Sequence, residues 1–72
     1  MSKTLGEKRV RIDFNPSEMG DVYFIKSKTA DLINLIDEAT RDSKDGEQRR
    51  LASLAMTAYE EAAMWAVKAI IF

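Results

Sequence analysis

Arg9, Arg11, Phe14, Asn15 and Lys26 fall close together near the start of this chain. A guanidinium or ammonium beside an aromatic ring suits a nucleotide, the cation meeting a phosphate and the ring a base face. Structural roles fit the same residues: Phe14 as a plug sealing a hairpin, Lys26 as a solvated helix residue. Arg49 and Arg50 form a second group, just where a later helix begins. Arginine there opposes the helix dipole. It is either a pair of surface charges or a partner for another chain or an anionic ligand. Repeated around an oligomer axis, such arginines would concentrate their field.

Catalysis finds little support, and no enzyme is expected. The chain has no cysteine and no histidine, which removes the usual transition-metal ligands and the commonest general base. No metal or cofactor is therefore expected, and the missing cysteines leave the redox compartment open. There is no glycine-rich phosphate loop and no nucleophile with a plausible base. Glu60-Glu61 and Asp37-Glu38 are adjacent acidic pairs, but helical neighbours point about 100° apart.

Eleven basic residues against 12 acidic ones leave a net charge of −1. That field attracts neither nucleic acid nor an anionic membrane, so neither is an expected partner. Lys3, Lys8, Arg9 and Arg11 against Glu7 make the first stretch locally basic, a solubilising arm or a nucleic-acid arm. MSKTLGEKRV has no apolar core of signal-peptide length. The most apolar region, Leu51 to Phe72, is broken by Glu60, Glu61 and Lys68. A soluble, cytoplasmic chain is expected.

The elements that must position these side chains are few. Val10, Ile12 and Phe14 alternate with Arg9, Arg11 and Asp13, which predicts a short extended segment within an N-terminal arm over residues 1–15. Asn15-Pro16-Ser17-Glu18 then reads as a helix start, with Asn15 or Ser17 as cap and Pro16 in the first turn. Val22, Ile25, Thr29, Leu32, Ile36 and Ala39 follow at spacings of 3, 4, 3, 4 and 3, a coiled-coil-like seam. The polar run from Arg41 to Gly46 breaks the pattern. The reading is mainly α: residues 16–72 form an antiparallel two-helix hairpin, with helices over about 17–41 and 47–71.

The second helix is apolar nearly all round. Of the 22 residues from Leu51 to Phe72, 17 are hydrophobic and seven of these are alanine. The first helix can cover only one face of it, and the alanine-rich remainder allows another helix to approach closely. The expectation is an obligate homo-oligomer, a helical bundle with the second helix central. Trp65 is expected in the core or between subunits, and Tyr59 fits either place.

The segments LGEKRVRIDFNPS, IKSKTADLINLID and RRLASLAMTAYEEAAMWAVKAI, together about residues 5–71, are similar to the helical-hairpin domain of phage sponge proteins. These anti-CBASS and anti-Thoeris proteins sequester the cyclic nucleotide messengers of bacterial immunity. The resemblance implies a small oligomer, often a hexamer, that binds cyclic dinucleotides, cyclic trinucleotides or cyclic ADP-ribose isomers without cleaving them. It would work in the cytoplasm of the infected bacterial host. One implied pocket lies between protomers and uses an aromatic residue before the first helix and a lysine on it, here Phe14 and Lys26. A second, near a three-fold axis, uses Arg49 or Arg50 with Ser53 or Thr57. Many relatives carry tyrosine where Phe14 stands, so this ring can stack but not donate a hydrogen bond. Anti-Thoeris relatives can carry an additional β-rich part, and this chain has room for little more than a strand. The rival reading is an oligomeric helical interaction module with no small-molecule ligand.

Overall fold

The computed structural model describes residues 2–72 and contains three helices: α1 over Leu5–Val10, α2 over Gly20–Thr40 and α3 over Gly46–Ile70. The long pair, α2 and α3, is joined by only five residues, which folds them back on each other as an antiparallel hairpin. Asp45 caps α3 by accepting from the backbone N–H groups of Glu47 and Gln48 at 2.9 and 3.3 Å. Ser43 Oγ closes the same turn by donating to Gln48 Oε1 at 2.7 Å.

The expected extended arm is a helix instead, and the described residues contain no strand. Thr4 and Glu7 form a capping box: the Glu7 N–H donates to Thr4 Oγ1 at 3.1 Å, and the Thr4 N–H donates to Glu7 Oε1 at 2.8 Å. The helix stops at Arg11, which has a left-handed φ of 56°. The Ile12 N–H reaches back to Glu7 O at 3.0 Å and the Arg11 N–H to Lys8 O at 3.2 Å, the Schellman pattern. Val10 and Ile12 are buried as expected of apolar residues, but from a helix and its exit turn.

The start of α2 also differs. Residues 15–18 form a turn closed by Glu18 N–H to Asn15 O at 3.0 Å, and Glu18 sits at a left-handed φ of 56°. That backbone cannot continue into a helix, so α2 begins at Gly20 with Met19 at its cap and no side-chain capping bond. Asn15 and Ser17 are spent within the turn. Asn15 Nδ2 donates to Met19 O at 3.0 Å, and Ser17 Oγ donates to Asn15 Oδ1 at 2.9 Å.

α1 lies against α2 along the line Lys26, Ala30, Asn34, spaced one turn apart. At the centre, a Cβ added to Gly6 would stand 2.1 Å from the Ala30 carbonyl oxygen. At one end Asn34 clips the helix start, accepting from the Gly6 N–H at 2.8 Å and donating to Thr4 Oγ1 at 3.0 Å. At the other end Lys26 holds the segment that follows α1. This contact moves the buried line of α2 away from the expected seam. Val22, Lys26, Ala30 and Ile33 are inside, whereas Leu32 and Ala39 are exposed. Val10, Ile12, Ala30, Ile33 and Met56 form the core, and Ala52 and Ala63 continue the buried line of α3.

A single chain leaves much of α3 uncovered: Leu51, Leu54, Met64 and Trp65 are each more than half exposed. Trp65 therefore lies outside this chain's core, with Lys68 Nζ 5.2 Å from its ring centroid.

Gly6→Ala should cost about 2 kcal/mol or more, because backbone rather than a pliable side chain blocks the added methyl. The Tm should fall by roughly 10 °C for a domain of this size. Gly46→Ala, with nothing within 4 Å of the added Cβ, is the control and should melt like wild type. Equal melting of the two variants would show that α1 does not lie on α2 in solution.

Candidate functional site

The end of α1, the turn after it, Lys26 of α2 and the stretch of α3 from Thr57 to Lys68 enclose a cleft of about 450 Å³. Phe14 forms one wall and is 53 % exposed, so it is no plug. Arg11 stacks over its ring, with the guanidinium carbon 4.5 Å from the centroid. Lys26 Nζ lies 5.4 Å from the same centroid. A second, shallower cleft of about 410 Å³ lies on the other side of this turn, and Arg11 and Phe14 are the residues that line both. Arg11 and Phe14 thus form a ridge between two hollows.

Lys26 is not a solvated helix residue: it is 7 % exposed. Its ammonium donates to the Arg11 carbonyl at 3.0 Å and to the Phe14 carbonyl. Burial pushes its pKa below the ordinary 10.5, and the nearby Arg11 charge pushes the same way.

Arg9 crosses from α1 to α3. Its Nε donates to Glu60 Oε1 at 2.7 Å and its Nη2 to Thr57 Oγ1 at 3.1 Å. Glu60 was legible only as one of an adjacent acidic pair; here it is Arg9's counter-ion, while Glu61 lines the cleft beside it. The apolar floor of the cleft comes from Ala63, Met64 and Val67. Together these features make a half-open hollow with an aromatic wall, several cations and two carboxylates. It can receive a flat ring and an anionic group at once.

The structure gathers Arg9, Phe14, Lys26 and Thr57 around this cleft and leaves the other candidates elsewhere. Asn15 belongs to the 15–18 turn. Arg49, Arg50 and Ser53 are exposed at the start of α3. Arg50 is turned onto Glu47 of its own helix by two bonds of 2.8 and 2.7 Å, which holds the Glu47 carboxyl below its ordinary pKa. Thr57 stands seven residues beyond Arg50, about two helical turns, and faces Arg9 instead.

Lys26→Met leaves two partly buried carbonyls without their donor and should lower stability by about 1–3 kcal/mol at neutral pH. The pH dependence follows from the lowered pKa. Below it, wild type bears the full cost of holding a buried charge. Between that value and 10.5 the unfolded chain binds more protons than the folded one, so wild-type stability rises with pH. The gap between wild type and Lys26→Met should therefore widen over that window in chemical denaturation. A gap that stays constant would mean that Lys26 is not desolvated.

No curated protein and no solved structure matches this chain. One family does: the description Acb2/Tad1, hairpin domain, fits residues 7–70, which takes in α1 from Glu7 onward, the Arg11–Phe14 ridge, α2 and all of α3. The hairpin of α2 and α3 is the part that the family description names, and the cleft lies between that hairpin and α1. The chain belongs to the Acb2/Tad1 hairpin family, the anti-CBASS and anti-Thoeris sponges that phages use to bind cyclic nucleotide messengers rather than to cleave them.

Proposed function

We propose that this protein is a non-enzymatic sponge that withdraws cyclic nucleotide immune messengers in the cytoplasm of the infected bacterial host. Its ligands are cyclic di- or trinucleotides or cyclic ADP-ribose isomers. The observation that carries the reading is the half-exposed Phe14 ring in a cleft lined by Arg9, Arg11, Lys26 and Lys68. A base stacks on such a ring for about 1–3 kcal/mol, and phosphates take the cations. The action is depletion by mass action: a messenger held in the cleft cannot reach its effector.

The working unit is a homo-oligomer, a hexamer in this reading. Leu51, Leu54, Met64 and Trp65 leave α3 with an apolar face that a monomer rarely exposes. A second ligand class would use the start of α3 in a neighbouring arrangement of subunits. There Arg49 is the better candidate, since Arg50 already pairs with Glu47, and Ser53 supplies the hydroxyl. The net charge of −1 argues against nucleic acid as the partner, and no described helix is long and apolar enough to cross a membrane.

The same exposed face favours a second reading, an oligomeric interaction module with no small ligand. Calorimetry against a panel of cyclic di- and trinucleotides and cyclic ADP-ribose isomers separates the two. The sponge reading expects tight binding of at least one member and its recovery intact after heat denaturation. It also expects Phe14→Ala to weaken one ligand class by at least about tenfold, and Arg49→Ala to leave that class unchanged. Binding of no member would leave the interaction module. Light scattering should give a mass that is a multiple of 8.2 kDa; a stable monomer at micromolar concentration would remove the oligomer from the proposal.

A further inference from the structure

We infer that Glu61 reads the base of the bound messenger: its carboxylate accepts from the pairing edge of a guanine, so the preferred ligands are guanine-bearing cyclic dinucleotides. The inference rests on the sponge reading and names the base that reading leaves open.

Two carboxylates line the cleft from successive positions on α3, and they are held differently. Glu60 turns toward α1, where its Oε1 accepts from Arg9 Nε at 2.7 Å. Glu61 projects about 100° further round the helix and is exposed. It takes part in none of the ion pairs among the described residues. Lys68, on the same side of α3 two turns later, lies over the Trp65 ring with Nζ 5.2 Å from its centroid. An unpaired carboxylate disfavours a phosphate-bearing ligand unless it meets donors of that same ligand.

The chemistry of the bases decides which donors those are. A carboxylate offers two acceptor oxygens and no donor. Guanine carries two donors side by side on its pairing edge, N1–H and the N2 amino group, and these match both oxygens. Adenine presents one donor beside the acceptor N1, and uracil one donor between two carbonyls, so a carboxylate facing either meets an acceptor. The layout of the cleft suits this pairing. A base lying flat on the half-exposed Phe14 ring keeps its edge free for hydrogen bonds, and Glu61 borders the same hollow of about 450 Å³ from α3. Ring and carboxylate thus divide the recognition, the ring accepting any base and the carboxylate selecting one.

The test is calorimetry on the full-length chain with cyclic di-GMP, cyclic GMP–AMP and cyclic di-AMP as probes, and with cyclic tri-AMP and cyclic ADP-ribose as guanine-free controls. Wild type should bind cyclic di-GMP and cyclic GMP–AMP at least about tenfold tighter than cyclic di-AMP. Glu61→Ala should erase most of that difference by weakening the guanine-bearing probes, with cyclic di-AMP held within about threefold. Glu61→Gln should turn the preference toward cyclic di-AMP, because an amide sets a donor beside its acceptor and so matches the adenine edge. Glu61 is exposed, so both variants should melt like wild type, and either one alone carries the test should the other fold poorly. A wild-type protein that binds cyclic di-AMP as tightly as cyclic di-GMP, or that binds only a guanine-free control, would overturn the inference and leave the sponge reading intact. Equal weakening of every probe by Glu61→Ala would put the carboxylate on a part common to all of them, such as a ribose hydroxyl, and would overturn it too. Binding of no probe would overturn the sponge reading itself, and the inference with it.

Discussion

The contact between Gly6 and the backbone of Ala30 sets the geometry of everything that follows it. A helix of six residues has too few internal hydrogen bonds to stand alone, so α1 exists by leaning on α2. Only glycine permits the separation, since any Cβ would enter the Ala30 carbonyl. Given that fixed point, Asn34 and Lys26 one turn to either side determine where α1 begins and where its following turn must run. The core side chains Val10 and Ile12 are then carried over Ile33 and Met56, and Phe14 is delivered to the mouth of the cleft.

The polar groups around the cleft sort by what holds them. Arg9 bridges α1 to α3 through a partly buried ion pair with Glu60, whose side chains are 24 % and 43 % exposed. A pair at that depth contributes little net stability, on the order of 1 kcal/mol or less. Its effect is more in fixing the angle between the helices and in placing a carboxylate beside the cations. Lys26 is the reverse case. Its charge is costly where it sits, and the two carbonyls it satisfies would otherwise be left without partners. The exposed ion pairs Arg41–Asp37 and Arg50–Glu47 lie along single helices and do not shape the cleft.

The hairpin was legible because two long amphipathic segments with a polar break leave few alternatives: α2 and α3 fall within a few residues of the expected 17–41 and 47–71. Legibility failed where a short element competes with a longer pattern. The alternation of Val10, Ile12 and Phe14 suggested a strand, yet a period of two over five residues is matched equally by the last turn of a helix and its exit. The signal for α1 was present in Thr4-Leu5-Gly6-Glu7, a capping-box spacing within what read as a basic N-terminal arm. The burial of Lys26, against the alternative of a solvated helix residue, was hidden for a related reason. Its burial comes from α1 and its turn, so a reading that made this stretch an extended arm gave Lys26 no cover and no carbonyls to meet. The gathering of Arg9 with Thr57 and Glu60 spans about 50 residues of chain, and no local pattern encodes it.

The way α1 is fastened also bears on time. Its polar hold on α2 is a clip at each end, the Asn34 amide and the Lys26 ammonium, around one close backbone approach. A short segment held in this way belongs to the class that opens locally well before the whole domain unfolds. The ring wall of the cleft hangs on that segment, whereas its floor belongs to the long helix α3. The residence time of any occupant would then be bounded by how long these two clips and the Arg9 bridge to α3 last, with the slowest departures from the cleft set by local opening of α1 rather than by global unfolding.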